Sequence, residues 1–74
     1  MIKDELIFKI ETQQPFEFQY NGKKYNMMYD KADDGSVIIR FGRLYEEKSF
    51  KSYGELMNTA RIENHFFKDM LDIV

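Results

Sequence analysis

Residues 16–29 read FEFQYNGKKYNMMY, and this stretch decides the fold. Apolar and polar residues alternate on both sides of Asn21-Gly22. Such a dipeptide is typical of a two-residue β-hairpin turn, because Asn and Gly tolerate the positive φ angles that the turn requires. A turn at this point pairs Phe18 with Tyr25. The stretch therefore predicts an antiparallel hairpin with a defined register.

This hairpin has one apolar face and one mostly polar face, because successive side chains point to opposite sides of a strand. The apolar face carries Phe16, Phe18, Tyr20, Tyr25, Met27 and Tyr29. The other face carries Glu17, Gln19, Lys24, Asn26 and Met28. An antiparallel sheet of this kind is covered by other elements on one side only. We expect the polar face to remain open.

Two later segments extend the predicted sheet. Residues Val37–Phe41 alternate in the same way and follow turn residues at 33–35, whereas Glu47–Phe50 suits either a loop or a short fourth strand. If Glu47–Phe50 does not pair, Val37–Phe41 is an open edge that can accept a strand from a partner. If it does pair, the predicted binding surface is instead the open face around Gln19, Lys24, Asn26 and Met28.

Helices are predicted at both ends of the chain. The spacing of Ile2, Leu6 and Ile10 indicates a helix over about residues 3–12, although Leu6, Phe8 and Ile10 would also suit a strand. Ser52 and Glu55 have the spacing of a capping box, which predicts a helix over 53–61. A turn at 63–65, near Asn64, and a last helical segment at 66–73 follow.

The predicted fold is α+β: an antiparallel meander of three strands, or four if Glu47–Phe50 pairs, with the N- and C-terminal helices on one face. A chain of 74 residues without a long linker or a repeat is expected to form a single domain, residues 1–74.

Several motifs together resemble a set of short uncharacterised bacterial proteins of similar length. These motifs are FEFxYNGKxY from Phe16, IxFG from Ile39, Tyr45 followed by two glutamates, ELM from Glu55, AxI from Ala60 and KDML from Lys68. The resemblance covers most of the chain and consists of turns, caps and core positions. It implies the α-β-β-β-α order and the break near Asn64, and it carries no activity and no catalytic residue.

The sequence predicts neither an enzyme nor a metal or cofactor site. It has no cysteine and a single histidine, His65, which falls short of the three or four ligands of a zinc site. A calcium loop starting at Asp30 fails, because its third and twelfth positions are Ala32 and Phe41. The glycines are too widely spaced for a phosphate loop. We expect no catalytic, cofactor-binding or metal-binding residue.

The remaining hypotheses are a non-catalytic protein-interaction module and, as the alternative, an RNA-binding domain. The net charge of −2, with both signs interspersed, argues against nucleic-acid binding, because proteins that bind nucleic acid usually carry an excess of positive charge. A protein partner or self-association is the preferred prediction, without contact with a membrane and in the cytoplasm. The predicted interaction surface consists of Gln19, Lys24, Asn26, Met28, Ile38, Arg40, Arg43 and Tyr45.

Overall fold

The structure is a computed structural model that describes all 74 residues. The predicted hairpin forms the first two strands of its sheet. Strands β1 (Phe16–Tyr20) and β2 (Lys23–Lys31) pair antiparallel, with Phe18 opposite Tyr25. The turn residues Asn21 and Gly22 have φ angles of 53° and 76°. Both values are positive, as a type I′ turn requires, so the predicted turn and its register are confirmed.

Two more strands complete an antiparallel sheet of four strands in the order β1-β2-β3-β4. Strand β3 (Val37–Arg43) pairs with β2, and β4 (Lys48–Phe50) pairs with β3 over residues 39–41. The fourth strand therefore forms, and it covers most of the edge that the sequence left open. Because β4 already uses the edge of β3 from Ile39 onward, the second of the two predicted cases applies, in which the open face around Gln19, Lys24, Asn26 and Met28 is the predicted binding surface.

A helix precedes the sheet and a shorter one follows it. Helix α1 (Lys3–Glu11) agrees with the predicted span, and its first turn carries Asp4 and Glu5, which complement the positive end of the helix dipole. Helix α2 (Tyr53–Thr59) begins after Ser52, whose hydroxyl accepts a hydrogen bond from the Glu55 N–H at 3.1 Å. The Glu55 carboxylate accepts from the Lys51 N–H at 3.0 Å, one residue earlier than in a standard capping box.

The C-terminal part differs from the prediction of a second helical segment at 66–73. Two short strands, β5 (Arg61–Ile62) and β6 (His65–Phe66), form a hairpin, and 3₁₀ turns follow at Phe67–Asp69 and Leu71–Ile73. The break near Asn64 is therefore present, but as a strand reversal. Ile62 and Phe67 are both fully buried. Five residues apart, they would point in different directions on a helix, and the hairpin lets both enter the core.

One buried cluster joins the sheet to the other elements. It contains Leu6 of α1, Leu56 and Met57 of α2, and the sheet residues Tyr25, Met27, Ile39, Phe41 and Phe50. We call the side of the sheet that carries these five residues the inner face. The Phe67 ring lies 4.3 Å from the ring of Phe41 and 6.4 Å from that of Phe18, centroid to centroid, so the last segment packs into the aromatic part of the core.

Candidate functional site

The side of the sheet opposite the core, here called the outer face, receives most of the predicted interaction residues. Residues paired across antiparallel strands point to the same side, so the register assigns each side chain to a face. The outer-face pairs include Gln19 with Lys24, Met28 with Arg40, and Asp30 with Ile38.

Arg43 does not belong to this group. It is paired with the buried Tyr25, which places it on the inner face at the end of β3. Arg43 therefore does not share a face of the sheet with Lys24 and Arg40. The alternation from Phe41, two residues earlier, already points to the inner side and could have shown this.

The loop between β3 and β4 folds back over part of the outer face. Gly42, paired with Asn26, has no side chain, and a Cβ built on it would lie 3.2 Å from the Glu47 Cα. The backbone at Glu47 thus occupies the space above Gly42. As a result Asn26 is only 8% exposed, although it points away from the core.

The Glu47 carboxylate fixes this loop through two hydrogen bonds. It accepts from the Asn26 side-chain amide at 3.1 Å and from the Tyr45 N–H at 3.3 Å. The hydrogen bond from Asn26 is the main cause that lowers the pKa of Glu47, with smaller contributions from backbone N–H groups and the charge of Arg40. Glu47 therefore stays ionised in the folded protein at neutral pH.

Tyr45 is the most exposed large hydrophobic residue of the chain, with 90% of its surface accessible. Its φ angle is +71°, which is uncommon for a residue other than glycine. The loop maintains this conformation through the hydrogen bond to Glu47 and a second one, at 2.8 Å, from the Glu46 N–H to the Arg43 carbonyl. The aromatic ring is thus held away from the core by an ordered loop.

The charges of the outer face are largely paired within the chain. Lys24 lies 3.8 Å from Glu17, and Arg40 lies 3.3 Å from Asp30. Between these pairs lies Met28, 39% exposed, and Ile38 is half-buried beside Asp30. The outer face therefore combines matched charges with scattered apolar surface.

Sequence reasoning missed the roles of Gly42 and Glu47. A glycine inside a strand pattern, as in Ile39-Arg40-Phe41-Gly42, often marks a place where another backbone comes close. That signal was available in the sequence. Nothing in the sequence indicated which residue would fill the space, because Glu47 reaches it through the tertiary path of the loop.

Glu63 connects two turns that are distant in sequence. Its carboxylate lies 3.1 Å from the Lys23 ammonium group and accepts a hydrogen bond from the Asn21 amide at 3.3 Å. The hydrogen bond from Lys23 is the main cause that lowers the pKa of Glu63. Glu63, rather than Asn64, has the positive φ of the β5–β6 turn, at 57°.

A recess lies on the inner face, where the sheet extends beyond the core. This basic cleft has a volume of about 460 Å³, and its cationic lining residues are Arg43, Lys48 and Arg61. Arg43, part of the interaction surface predicted from the sequence, thus lines this cleft and not the outer face.

His65 lies exposed on β6, and no group of three His, Cys, Asp or Glu side chains is arranged to hold a metal ion. Asp34 accepts hydrogen bonds from the Ser36 N–H and hydroxyl, at 2.9 and 2.7 Å, and these bonds lower its pKa. This arrangement is a turn closed by its own side chains.

Neither helix has the length and apolar character needed to cross a membrane.

Comparison with protein families, curated proteins and solved structures finds no match to this chain.

Proposed function

We propose that this protein is a non-catalytic protein-interaction module that binds its partner through the outer face and the adjoining Tyr45. The observation that carries the proposal is the state of Tyr45, which is 90% exposed while its backbone is held at a φ of +71°. A conformation of this kind costs free energy and persists when the surrounding contacts impose it, which is common at binding sites.

The rigidity of the loop supports this role. A tyrosine fixed in position loses little conformational freedom when it binds, and tyrosine is enriched among the residues that dominate interface energies. Here the loop is fixed by Glu47, which contacts both the Tyr45 backbone and the Asn26 side chain. The ring is therefore prepared to enter a pocket on a partner.

The composition of the outer face also fits a protein partner. Met28 and Ile38 supply apolar surface, and Met and Tyr are typical of interface cores. Lys24 and Arg40 are already paired with carboxylates, so little positive charge is free for a phosphate backbone. A cytoplasmic setting is part of the proposal.

We infer further that both helices cover the inner face, which leaves the outer face free. Leu6 of α1 and Leu56 of α2 are buried in the same cluster as the inner-face residues of the sheet. The Tyr29 hydroxyl lies within hydrogen-bond distance of the Lys9 and Gln14 carbonyl oxygens, at 3.3 and 3.1 Å, and so connects β2 to the end of α1.

The test is a quantitative capture experiment with matched variants. The immobilised wild-type protein is incubated with a lysate of the source organism, and a captured protein is then purified and its Kd measured. Tyr45→Asn should weaken binding by at least tenfold, as expected for an anchor residue. Phe8→Ala removes another exposed aromatic residue, on α1, and should leave the Kd unchanged. Equal Kd values for the wild type and Tyr45→Asn would refute the proposal.

RNA binding is the second candidate, and the position of Tyr45 next to a face that carries Lys24 and Arg40 is the observation that favours it. Exposed aromatic rings near cations can stack on bases of single-stranded RNA. Fluorescence anisotropy with a labelled single-stranded RNA tests this directly. Binding that weakens steeply with salt, and less steeply in Lys24→Gln, would favour RNA over a protein partner.

A further inference from the structure

The basic cleft is built by three separate parts of the chain. Arg43 lies at the end of β3 opposite Tyr25, and Lys48 begins β4 opposite Phe41. Arg61 comes from β5, beyond helix α2. The pairing register places Arg43 and Lys48 on the inner face, past the region that the hydrophobic core fills.

Arg61 is held in place by an aromatic ring. Its guanidinium carbon lies 4.3 Å from the centroid of the Phe66 ring, across the β5–β6 hairpin. Such stacking restrains the side chain and leaves its N–H groups available, because a guanidinium group that stacks on a ring can still donate in its own plane. A restrained donor costs less free energy to order when a ligand binds.

The charges of the cleft leave an excess of positive charge. Its two carboxylates are already paired: Glu46 lies 3.7 Å from Arg43 within the cleft, and Glu63 lies 3.1 Å from Lys23 outside it. Neither Lys48 nor Arg61 lies within 4 Å of a carboxylate, since the four ion pairs of the chain involve other residues. In a chain of net charge −2, two cations without a carboxylate partner thus line one recess.

The other walls suit a small organic molecule. Tyr25, Phe41 and Phe50 are buried aromatic residues that line the cleft. Thr59 also lines it, and its hydroxyl donates to the Glu55 carbonyl at 2.6 Å. The volume of about 460 Å³ lies within the range of roughly 300–1,000 Å³ that is usual for small-molecule sites.

We propose that the basic cleft binds a small organic dianion, whose phosphate or carboxylate oxygens accept hydrogen bonds from Lys48 and Arg61. Both groups bind oxyanions through charge-assisted hydrogen bonds, and the guanidinium group can bind one in a bidentate manner. The site is separate from the outer face, so its existence does not depend on the proposed protein interaction.

An NMR titration of the ¹⁵N-labelled protein tests the proposal, with inorganic pyrophosphate and citrate as probes and sodium chloride at matched ionic strength as the reference. At least one probe should shift the amide signals of Arg43, Lys48, Ser49 and Arg61 in a saturable way. Tighter binding of pyrophosphate assigns the site to phosphate esters, and tighter binding of citrate assigns it to carboxylates. Shifts no larger than those caused by sodium chloride overturn the proposal.

Charge-removing variants locate the binding. Lys48→Gln and Arg61→Gln should each weaken binding of the effective probe by about three- to fivefold, as expected for exposed ion pairs. Lys31→Gln removes the same charge from the far end of β2, outside the cleft, and should have no effect. Lys48 is exposed, so its variant remains informative even if Arg61→Gln disturbs the hairpin. Equal weakening by Lys31→Gln would show general charge attraction and overturn the proposal.

Discussion

The Glu47 carboxylate accepts a hydrogen bond at 3.1 Å from the side-chain amide of Asn26, which lies 21 positions earlier, in strand β2. This contact holds the β3–β4 loop over the outer face. It is possible only because Gly42 lies between the two residues without a side chain.

Gly42→Ala should therefore be destabilising, by about 1–3 kcal/mol. The new Cβ would meet the Glu47 Cα at 3.2 Å and the Glu46 carbonyl oxygen at 3.3 Å, and the φ of +153° is unfavourable for alanine. Urea denaturation measures the change. Gly54→Ala is the matched control, because its Cβ meets nothing closer than 3.9 Å and lies in helix α2. It should stabilise the protein by about 0.5–1 kcal/mol. A neutral Gly42→Ala would mean that the loop does not lie on the sheet.

The stability of the protein should decrease in acid because of Glu47 and Glu63. Both have a pKa below 4.5 in the folded protein, since hydrogen bonds stabilise their charged forms. A carboxyl group with a lowered folded-state pKa stabilises the fold fully above its unfolded pKa. This contribution is lost as the pH falls through the folded-state pKa. We expect the free energy of unfolding to decrease once the pH is lowered below about 4.5.

Urea denaturation at several pH values between 3 and 7 measures this effect. The double variant Glu47→Gln, Glu63→Gln should have a flatter profile below pH 4.5, because neither amide titrates. Some slope should remain from Asp34, whose pKa is also lowered. Glu11→Gln removes an exposed carboxylate at the end of α1 that forms no ion pair, and it controls for the change of net charge. A double variant with the wild-type slope would show that these contacts do not form in solution.

Ser52→Ala should destabilise the protein by about 1 kcal/mol, because its hydroxyl satisfies the Glu55 N–H at the start of α2. For a domain of this size the melting temperature should fall by about 4–8 °C. Ser36→Ala, in the turn before β3, also removes a serine hydroxyl but leaves the helix intact. An unchanged melting temperature for Ser52→Ala would place the start of the helix elsewhere.

Much of the fold could be predicted from local signals. Asn21-Gly22 determines its turn within two residues, and Ser52 caps a helix that starts immediately after it. The C-terminal hairpin could not be predicted in this way, because the apolar residues from 62 to 74 also fit a helical spacing. The choice depends on the core, where Ile62 and Phe67 are both buried.

The candidate site was predictable only in part. Strand alternation was sufficient to place Lys24, Met28 and Arg40 on one face. The burial of Asn26 was not predictable, because it depends on a loop that returns to the sheet from a distant part of the chain. Gly42 marks a close approach of another backbone, but no local signal identifies Glu47 as the residue that makes it.

Amide exchange should show how far β4 covers the edge of β3. The Leu44 N–H donates to the Lys24 carbonyl at 2.9 Å, so this amide points towards β2. Because the direction alternates along a strand, the amides of Val37, Ile39 and Phe41 point the other way, towards β4.

The pairing with β4 begins only at Ile39, opposite Phe50. The Ile39 and Phe41 amides should therefore exchange about 100-fold more slowly than that of Val37, whose N–H points to the side on which no strand pairs with it. Hydrogen exchange followed by NMR provides the rates. Fast exchange at all three positions would mean that β4 is not formed, and the edge of β3 would again be available to a partner.

Tyr45→Asn should leave the fold intact and raise its stability by a few tenths to about 1 kcal/mol. Asparagine is several-fold enriched among residues with positive φ, whereas tyrosine must be held there at a cost. The ring is 90% exposed and contributes little to the core, so its loss should cost little. Tyr45→Phe is the matched control, because it keeps the ring and the same backbone requirement, and its stability should equal that of the wild type. Thermal unfolding of the three proteins decides the matter. If Tyr45→Asn is clearly less stable than Tyr45→Phe, the ring serves the fold, and its exposure is no longer evidence for a binding role.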